Sequence, residues 1–380
     1  MSFQFPNGLT HEQFLSEYWQ KKPLLARGAF ADFTGVLRKE EMLALSCKAD
    51  VESRLVFREA EQWHVEYGPF TRTRLKRLGK KPWTVLVQGL NLWNAEADAL
   101  LRQFDFIPQT RLDDLMVSYA TDNGGVGPHY DNYDVFLIQG IGQRRWRIGD
   151  RQDETLVENI PLKILRNFTP VHDWVLNPGD LLYLPPHWAH DGIAVGECMT
   201  YSVGFRSFSR QEIVSEFLNY LQDSLCVEGH YADPDLKRQN NSAEISDDLL
   251  RSFAATLEAI RWTSDDIRDF AGQMLSAPKP QIFFDPPQHP LPKKTFDRAV
   301  EQNGFALNPR TILLYHGNHF FLNGEKLSAH TTDITDMLIQ LAHQRILKAK
   351  VIVSKNHIQL LQLLYDWYLD GFGHPINGEK

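Results

Sequence analysis

Residues 51 to 206 are built from short apolar runs broken by Gly and Pro, and that texture restricts the fold more than any other feature. The runs are TVLVQGL (84–90), DLMVSYA (114–120), DVFLIQG (134–140), RRWRIG (144–149), GDLLYLPP (179–186) and MTYSVGF (199–205). They are rich in Val, Ile, Leu and Tyr and carry no long helical repeats between them. Parallel strands need long, usually helical, crossovers. Strands spaced this way are expected to pair antiparallel in a sandwich or barrel.

The flanks read differently. In HEQFLSEYWQKK, Phe14, Leu15, Tyr18 and Trp19 fall at helical spacing, and Pro23 ends the run. Beyond Ser209 the helical period returns, with Ile213, Phe217, Leu221 and Leu225 on one face. DDLLRSFAATLEAI and SDDIRDFAGQML continue it. A proline-rich span, 277–294, then marks a boundary. The last hundred residues read as a helix (KTFDRAVEQ), a hairpin with Asn323-Gly324 near its end, and two helices. The expected organisation is a β domain over 1–208, a helical region over 209–276 and an α+β domain over 277–380.

A chain of 380 residues exceeds one compact core, and 43% apolar with 23% charged residues excludes a largely disordered chain. No run approaches the roughly 18 apolar residues of a membrane span, and the N-terminus carries no secretory signal pattern. Cys47, Cys198 and Cys226 are far apart and form no disulfide framework or Cys-rich zinc module, so a cytoplasmic location is expected. Net charge is −8, and the span from Ser209 to Leu275 alone carries −7. That balance disfavours specific DNA binding and points to a neutral or cationic partner. Against it stands a basic cluster, Arg72, Arg74, Lys76, Arg77, Lys80 and Lys81, expected to be a solvated loop, with a phosphate contact as the sharper alternative.

The chemistry is concentrated in Gly124-Gly125-Val126-Gly127-Pro128-His129-Tyr130-Asp131. Along a strand His129 and Asp131 share a face and Tyr130 points away. His-x-Asp is half of a 2-His-1-carboxylate site, which leaves positions open on a divalent iron. The third ligand is expected from another strand. After the turn at Asn177-Pro178-Gly179-Asp180, both His187 and His190 are within range. His187 follows two prolines and belongs on the bend; His190 opens the next extended stretch and is the expected ligand.

On QRRWRIG, alternation puts Arg144, Trp146 and Ile148 on one face and Arg145 and Arg147 on the other. An inward Arg144 would suit a carboxylate gripped bidentately. A cupin-type zinc or manganese enzyme could use the same three ligands but would not need that arginine. Asp122 and Asp134 bracket the metal loop and are the candidate acids for a cationic substrate, each also readable as an ordinary turn or rim acid.

These segments, together with FLSEYWQKKPLLARG (14–28) and the block ending YSVGFR at Arg206, resemble the JmjC family of iron(II)- and 2-oxoglutarate-dependent oxygenases, and within it the bacterial ribosomal oxygenases. The resemblance implies a double-stranded β-helix (cupin-like jelly roll) catalytic domain, a helical dimerisation region and a winged-helix-like C-terminal domain. It implies His129, Asp131 and His190 as iron ligands, Arg144 on the distal carboxylate of 2-oxoglutarate, and Ser118 assisting it. It further implies a homodimer that hydroxylates an arginine of the large-subunit ribosomal protein L-sixteen. Histidine hydroxylation or lysine demethylation of another basic protein is the alternative within the family.

Overall fold

The computed structural model describes residues 3–59, 62–79, 81–150, 153–328, 332–353 and 358–376. The chain divides into two compact units, 1–207 and 208–380.

Among the described residues the first unit holds eleven strands: β1 Leu24–Ala26, β2 Ser53–Glu59, β3 Gln62–Tyr67, β4 Trp83–Val87, β5 Leu112–Ala120, β6 Val135–Gln139, β7 Gln143–Gly149, β8 Pro170–Leu176, β9 Leu181–Leu184, β10 His190–Val195 and β11 Cys198–Phe205. Eight form one sheet in the order β1-β9-β6-β11-β5-β4-β2-β3, and three form a second in the order β10-β7-β8. Every pairing among them is antiparallel. This is the double-stranded β-helix that the sequence led us to expect.

Alternation along the strands sorts the large sheet into two faces. Leu115, Val117 and Tyr119 of β5, Phe136 and Ile138 of β6, and Tyr201 and Val203 of β11 pack outward. They meet the N-terminal segment, where Phe14, Phe30 and Phe33 are fully buried. The helix His11–Glu17 that delivers Phe14 begins with a reciprocal cap between Thr10 and Gln13. Met116 and Ser118 of β5, and Val135 and Leu137 of β6, occupy the opposite face, toward β7 and β10.

The second unit carries helices Arg210–Ser224, Asp247–Glu258 and Ser264–Ser276, followed by an α+β part. In the latter, Phe296, Val300, Leu338, Leu341, Leu360 and Leu364 form the core. The expected hairpin pairs Leu313–His316 with His319–Leu322, and Asn323-Gly324 turns into a further short strand. The apolar stripe of the first helix is only partly covered. Phe217 packs on Phe270 and Trp262, and Leu221 is buried, whereas Ile213, Val214 and Leu218 are exposed. Among the described residues no helix is long and apolar enough to cross a membrane.

Candidate metal centre

The glycine-rich loop does not form the regular strand expected of it. Gly127 adopts φ +79°, Pro128 has no N–H to give, and only His129 makes a bridge. The loop instead runs antiparallel to β10 and is tied to it by backbone bonds at its two ends. Ala194 donates to Gly124, and His129 and His190 exchange N–H···O bonds of 2.9 and 2.7 Å. Gly125 is required by this approach, since a Cβ there would lie 2.6 Å from the Gly192 carbonyl.

His129, Asp131 and His190 consequently converge, with one potential ligand atom from each inside 4.8 Å of the others. The His129 and His190 rings are 4.3 Å apart, and His190 Nε2 lies 3.6 Å from Asp131 Oδ2. Each imidazole turns Nδ1 toward a backbone carbonyl at 2.9 Å, Gly127 for His129 and Trp188 for His190. Nδ1–H donating there leaves both Nε2 lone pairs for a cation. Burial, and then the His129 charge, push the His190 pKa down to about 4, so the ring is neutral near pH 7. Two imidazoles and one carboxylate are the donor set of a facial-triad iron site.

His187 stands apart. It sits on the bend at φ +64°, its side chain half-exposed, stacked on Tyr130 and 3.2 Å from Glu154.

A cavity of about 470 Å³ opens beside the triad, between the two sheets. Arg144 reaches it from β7 and Ser118 from β5; Arg144 Nη1 donates to Ser118 Oγ at 3.1 Å. The guanidinium is buried, and its Nε and Nη2 have no hydrogen-bond partner. A buried cation with two orphaned donors is an unfinished bidentate site, and a carboxylate completes it. Arg145, its neighbour, faces out and pairs with Asp173 at 2.7 Å. Trp146 forms the adjoining wall. It lies opposite Gly192 in the β7–β10 ladder, where any Cβ would come within 2.7 Å of the indole.

The two acids expected to hold a substrate do not face this cavity. Asp134 is completely buried on the outer side of the sheet, accepting from Tyr183 Oη at 2.6 Å and Gln20 Nε2 at 2.8 Å, with Arg111 at 3.4 Å. Burial raises its pKa despite these donors. Asp122 caps a turn, accepting from the Gly196 N–H at 2.8 Å. Asp113 and Asp114 line the cavity in their place, with Met116 and Tyr133. Counting back from Ser118 in twos along DLMVSYA reaches Met116 and Asp114, so that part was available from alternation. Tyr133 was not, because it lies outside any strand.

The basic cluster is partly neutralised: Arg74 makes a paired contact with Glu66 at 2.7 and 2.8 Å, and Lys81 pairs with Glu59. Lys80 lies outside the described residues.

Comparison with known proteins agrees with the geometry. A JmjC-domain signature matches residues 99–213, and a ROXA-like winged-helix signature matches residues 259–374. The chain is 32% identical over 332 residues to the ribosomal protein uL16 3-hydroxylase of Escherichia coli strain K12, covering 87% of this chain and 88% of that one. The X-ray structure of Escherichia coli YcfD matches with a TM-score of 0.85 at 31% identity, over 98% of this chain and 99% of that one. The complex of YcfD, a ribosomal oxygenase, with cobalt and 2-oxoglutarate matches with a TM-score of 0.83 at 30% identity, again over 98% and 99%.

Proposed function

The chain belongs to the JmjC-domain ribosomal oxygenases, which are iron(II)- and 2-oxoglutarate-dependent dioxygenases, and we propose that it hydroxylates an arginine of large-subunit ribosomal protein uL16 (the L-sixteen protein). The observation that carries the reading is the pairing of an intact His129–Asp131–His190 trio with a buried, half-satisfied Arg144 in one cavity.

In this reading His129, Asp131 and His190 are the iron ligands, with the Gly127 and Trp188 carbonyls fixing the imidazole tautomers. The distal carboxylate of 2-oxoglutarate is held by Arg144 through its free Nε and Nη2, steadied by Ser118. Trp146 and Leu137 wall off water, which strengthens the charge pairing inside. Bound iron(II) with 2-oxoglutarate and oxygen supplies the oxidation of a C–H bond, coupled to decarboxylation to succinate. Asp113 and Asp114 then lie along the path of the target side chain, where acidic groups favour a guanidinium. A net charge of −8 favours long-range attraction of a basic protein.

We assign the exposed apolar residues of Arg210–Ser224 and Asp247–Glu258, including Leu218, Leu250, Phe253 and Leu257, to a homodimer interface. In this reading residues 1–208 are the catalytic domain, 209–276 the dimerisation region and 277–380 the winged-helix-like domain of a cytoplasmic enzyme. Turnover of 2-oxoglutarate to succinate tests the enzymatic core. It should require iron(II) and oxygen and be stimulated by a uL16 peptide; turnover with zinc and without oxygen would refute it.

A further inference from the structure

Buried polar atoms without a hydrogen-bond partner are rare in native proteins. Among the described residues, five such side-chain atoms belong to residues that line the cavity. Three are Arg144 Nε, Arg144 Nη2 and Trp146 Nε1, beside the co-substrate position. The other two are Arg54 Nε and Gln88 Oε1, a donor and an acceptor on neighbouring strands of the large sheet.

Their placement follows from the ladder. Arg54 of β2 pairs with Leu86 of β4, and Gln88 lies two residues on, its N–H bonded to Glu52 O at 3.0 Å. Both side chains therefore stand on the cavity face, diagonal to one another and within reach of a common ligand. Across β2, Arg54 pairs in register with Tyr67 of β3, which also lines the cavity and is 76% exposed. β3 ends the large sheet, so this side of the cavity is where an extended chain can run in. On the inner side Asp114, Asp131 and Tyr133 line the same cavity. The pair thus lies between the sheet edge and the acids that receive the target side chain.

Chemistry selects the occupant. A guanidinium has no acceptor and would repel Arg54; a carboxylate has no donor for Gln88 Oε1. An extended peptide backbone has both, since each residue offers its N–H and C=O on the same edge. We propose that Arg54 and Gln88 clamp the backbone of the substrate peptide beside the hydroxylated residue, Arg54 donating to a carbonyl and Gln88 accepting from an amide N–H. The clamp rests on the peptide-hydroxylase reading. Such a clamp would admit the target side chain from an extended segment in one register.

The test is an N-methyl scan of a uL16 peptide carrying the target arginine, run with full-length wild-type enzyme and with Gln88→Leu, Gln88→Glu, Arg54→Met and Arg54→Lys. With wild type, methylation of one amide near the target should lower kcat/KM about tenfold or more. In Gln88→Leu the unmodified peptide should show a KM raised by about tenfold, and the methylation penalty should vanish at that position. Gln88→Glu keeps the acceptor and should keep the penalty. Arg54→Met should raise peptide KM similarly and Arg54→Lys recover part of it, while the KM for 2-oxoglutarate stays within about twofold. Thermal melts identify any variant that fails to fold, and the conservative pair then carries the comparison. An equal methylation penalty in wild type and Gln88→Leu, or parallel changes in the KM of peptide and 2-oxoglutarate, would overturn the clamp. So would loss of turnover on replacing an Asn or Gln side chain of the peptide instead. A wild type that hydroxylates none of the unmethylated peptides would overturn the functional reading itself.

Discussion

Arg144 Nη1 and Ser118 Oγ lie 3.1 Å apart although they belong to different sheets, Arg144 to the small one and Ser118 to the large. The contact spans the interior of the barrel beside the metal trio. It leaves the rest of the guanidinium, Nε and Nη2, for a carboxylate.

Arg144→Ala should therefore raise the KM for 2-oxoglutarate steeply. Truncating one partner of a buried charge pair costs about 2–5 kcal/mol, roughly thirtyfold or more. Ser118→Ala removes one hydrogen bond and should cost about 1 kcal/mol, roughly fivefold. Arg145→Ala, on the outer face and paired with Asp173, should leave that KM unchanged. Steady-state succinate assays give all three values. Equal effects at 144 and 145 would contradict the assigned strand phase.

His190→Ala should abolish iron binding and turnover, whereas His187→Ala should retain most of both. The structural distinction is that His190 is buried against Asp131 and His187 is on an exposed bend. Cobalt(II) titration followed by its visible spectrum reads the site without depending on catalysis. A dead His187 variant with an intact His190 variant would reverse the ligand assignment.

Metal should also stabilise the fold. Ligand at a hundred times its Kd adds about 2.7 kcal/mol to the folded state. Adding a chelator to metal-loaded protein should lower Tm in a metal-concentration-dependent way. Because the ligands must be deprotonated, metal affinity should weaken as pH falls. An unchanged Tm with and without the metal would show that the trio does not hold it.

Asp114 and Asp134 should separate binding from stability. Asp114→Asn should raise peptide KM, because Asp114 lines the cavity. Asp134→Ala strips the buried acceptor from Tyr183 and Gln20 and should destabilise the protein by about 1–3 kcal/mol in urea unfolding. A peptide-specific KM effect at Asp134 with unchanged stability would restore it as a substrate residue.

Leu218→Glu should shift the protein from about twice 43.8 kDa toward the monomer in sedimentation. Phe217→Glu is a poor probe, since Phe217 packs on Phe270 and its loss disturbs the unit itself. A wild type that is monomeric at micromolar concentration would remove the interface.

The convergence of His129, Asp131 and His190 and the inward position of Arg144 were legible in the sequence because each depends on local rules: two-residue alternation, a proline-set bend, a glycine loop. Asp122 and Asp134, the acids expected to hold the substrate, do not line the cavity, because proximity in sequence to the metal loop does not fix which face of a sheet a residue occupies. Asp134 directly precedes β6, yet its carboxylate turns outward to Tyr183, a partner 49 residues away. The opposite case is Arg54, far from the loop in sequence and brought to the cavity by strand order alone. The regular strand expected at His129 failed for a local reason, the positive φ of Gly127 followed by proline.

The most direct measurement is fragment mass spectrometry of a uL16 peptide after incubation with the enzyme, iron(II), 2-oxoglutarate and oxygen. The account predicts one added oxygen atom, located on arginine, formed in step with succinate, and no product from the peptide in which that arginine is replaced by lysine, which lacks the planar guanidinium. Succinate formation with an unmodified peptide, or oxidation at a histidine or a methylated lysine instead, would contradict it.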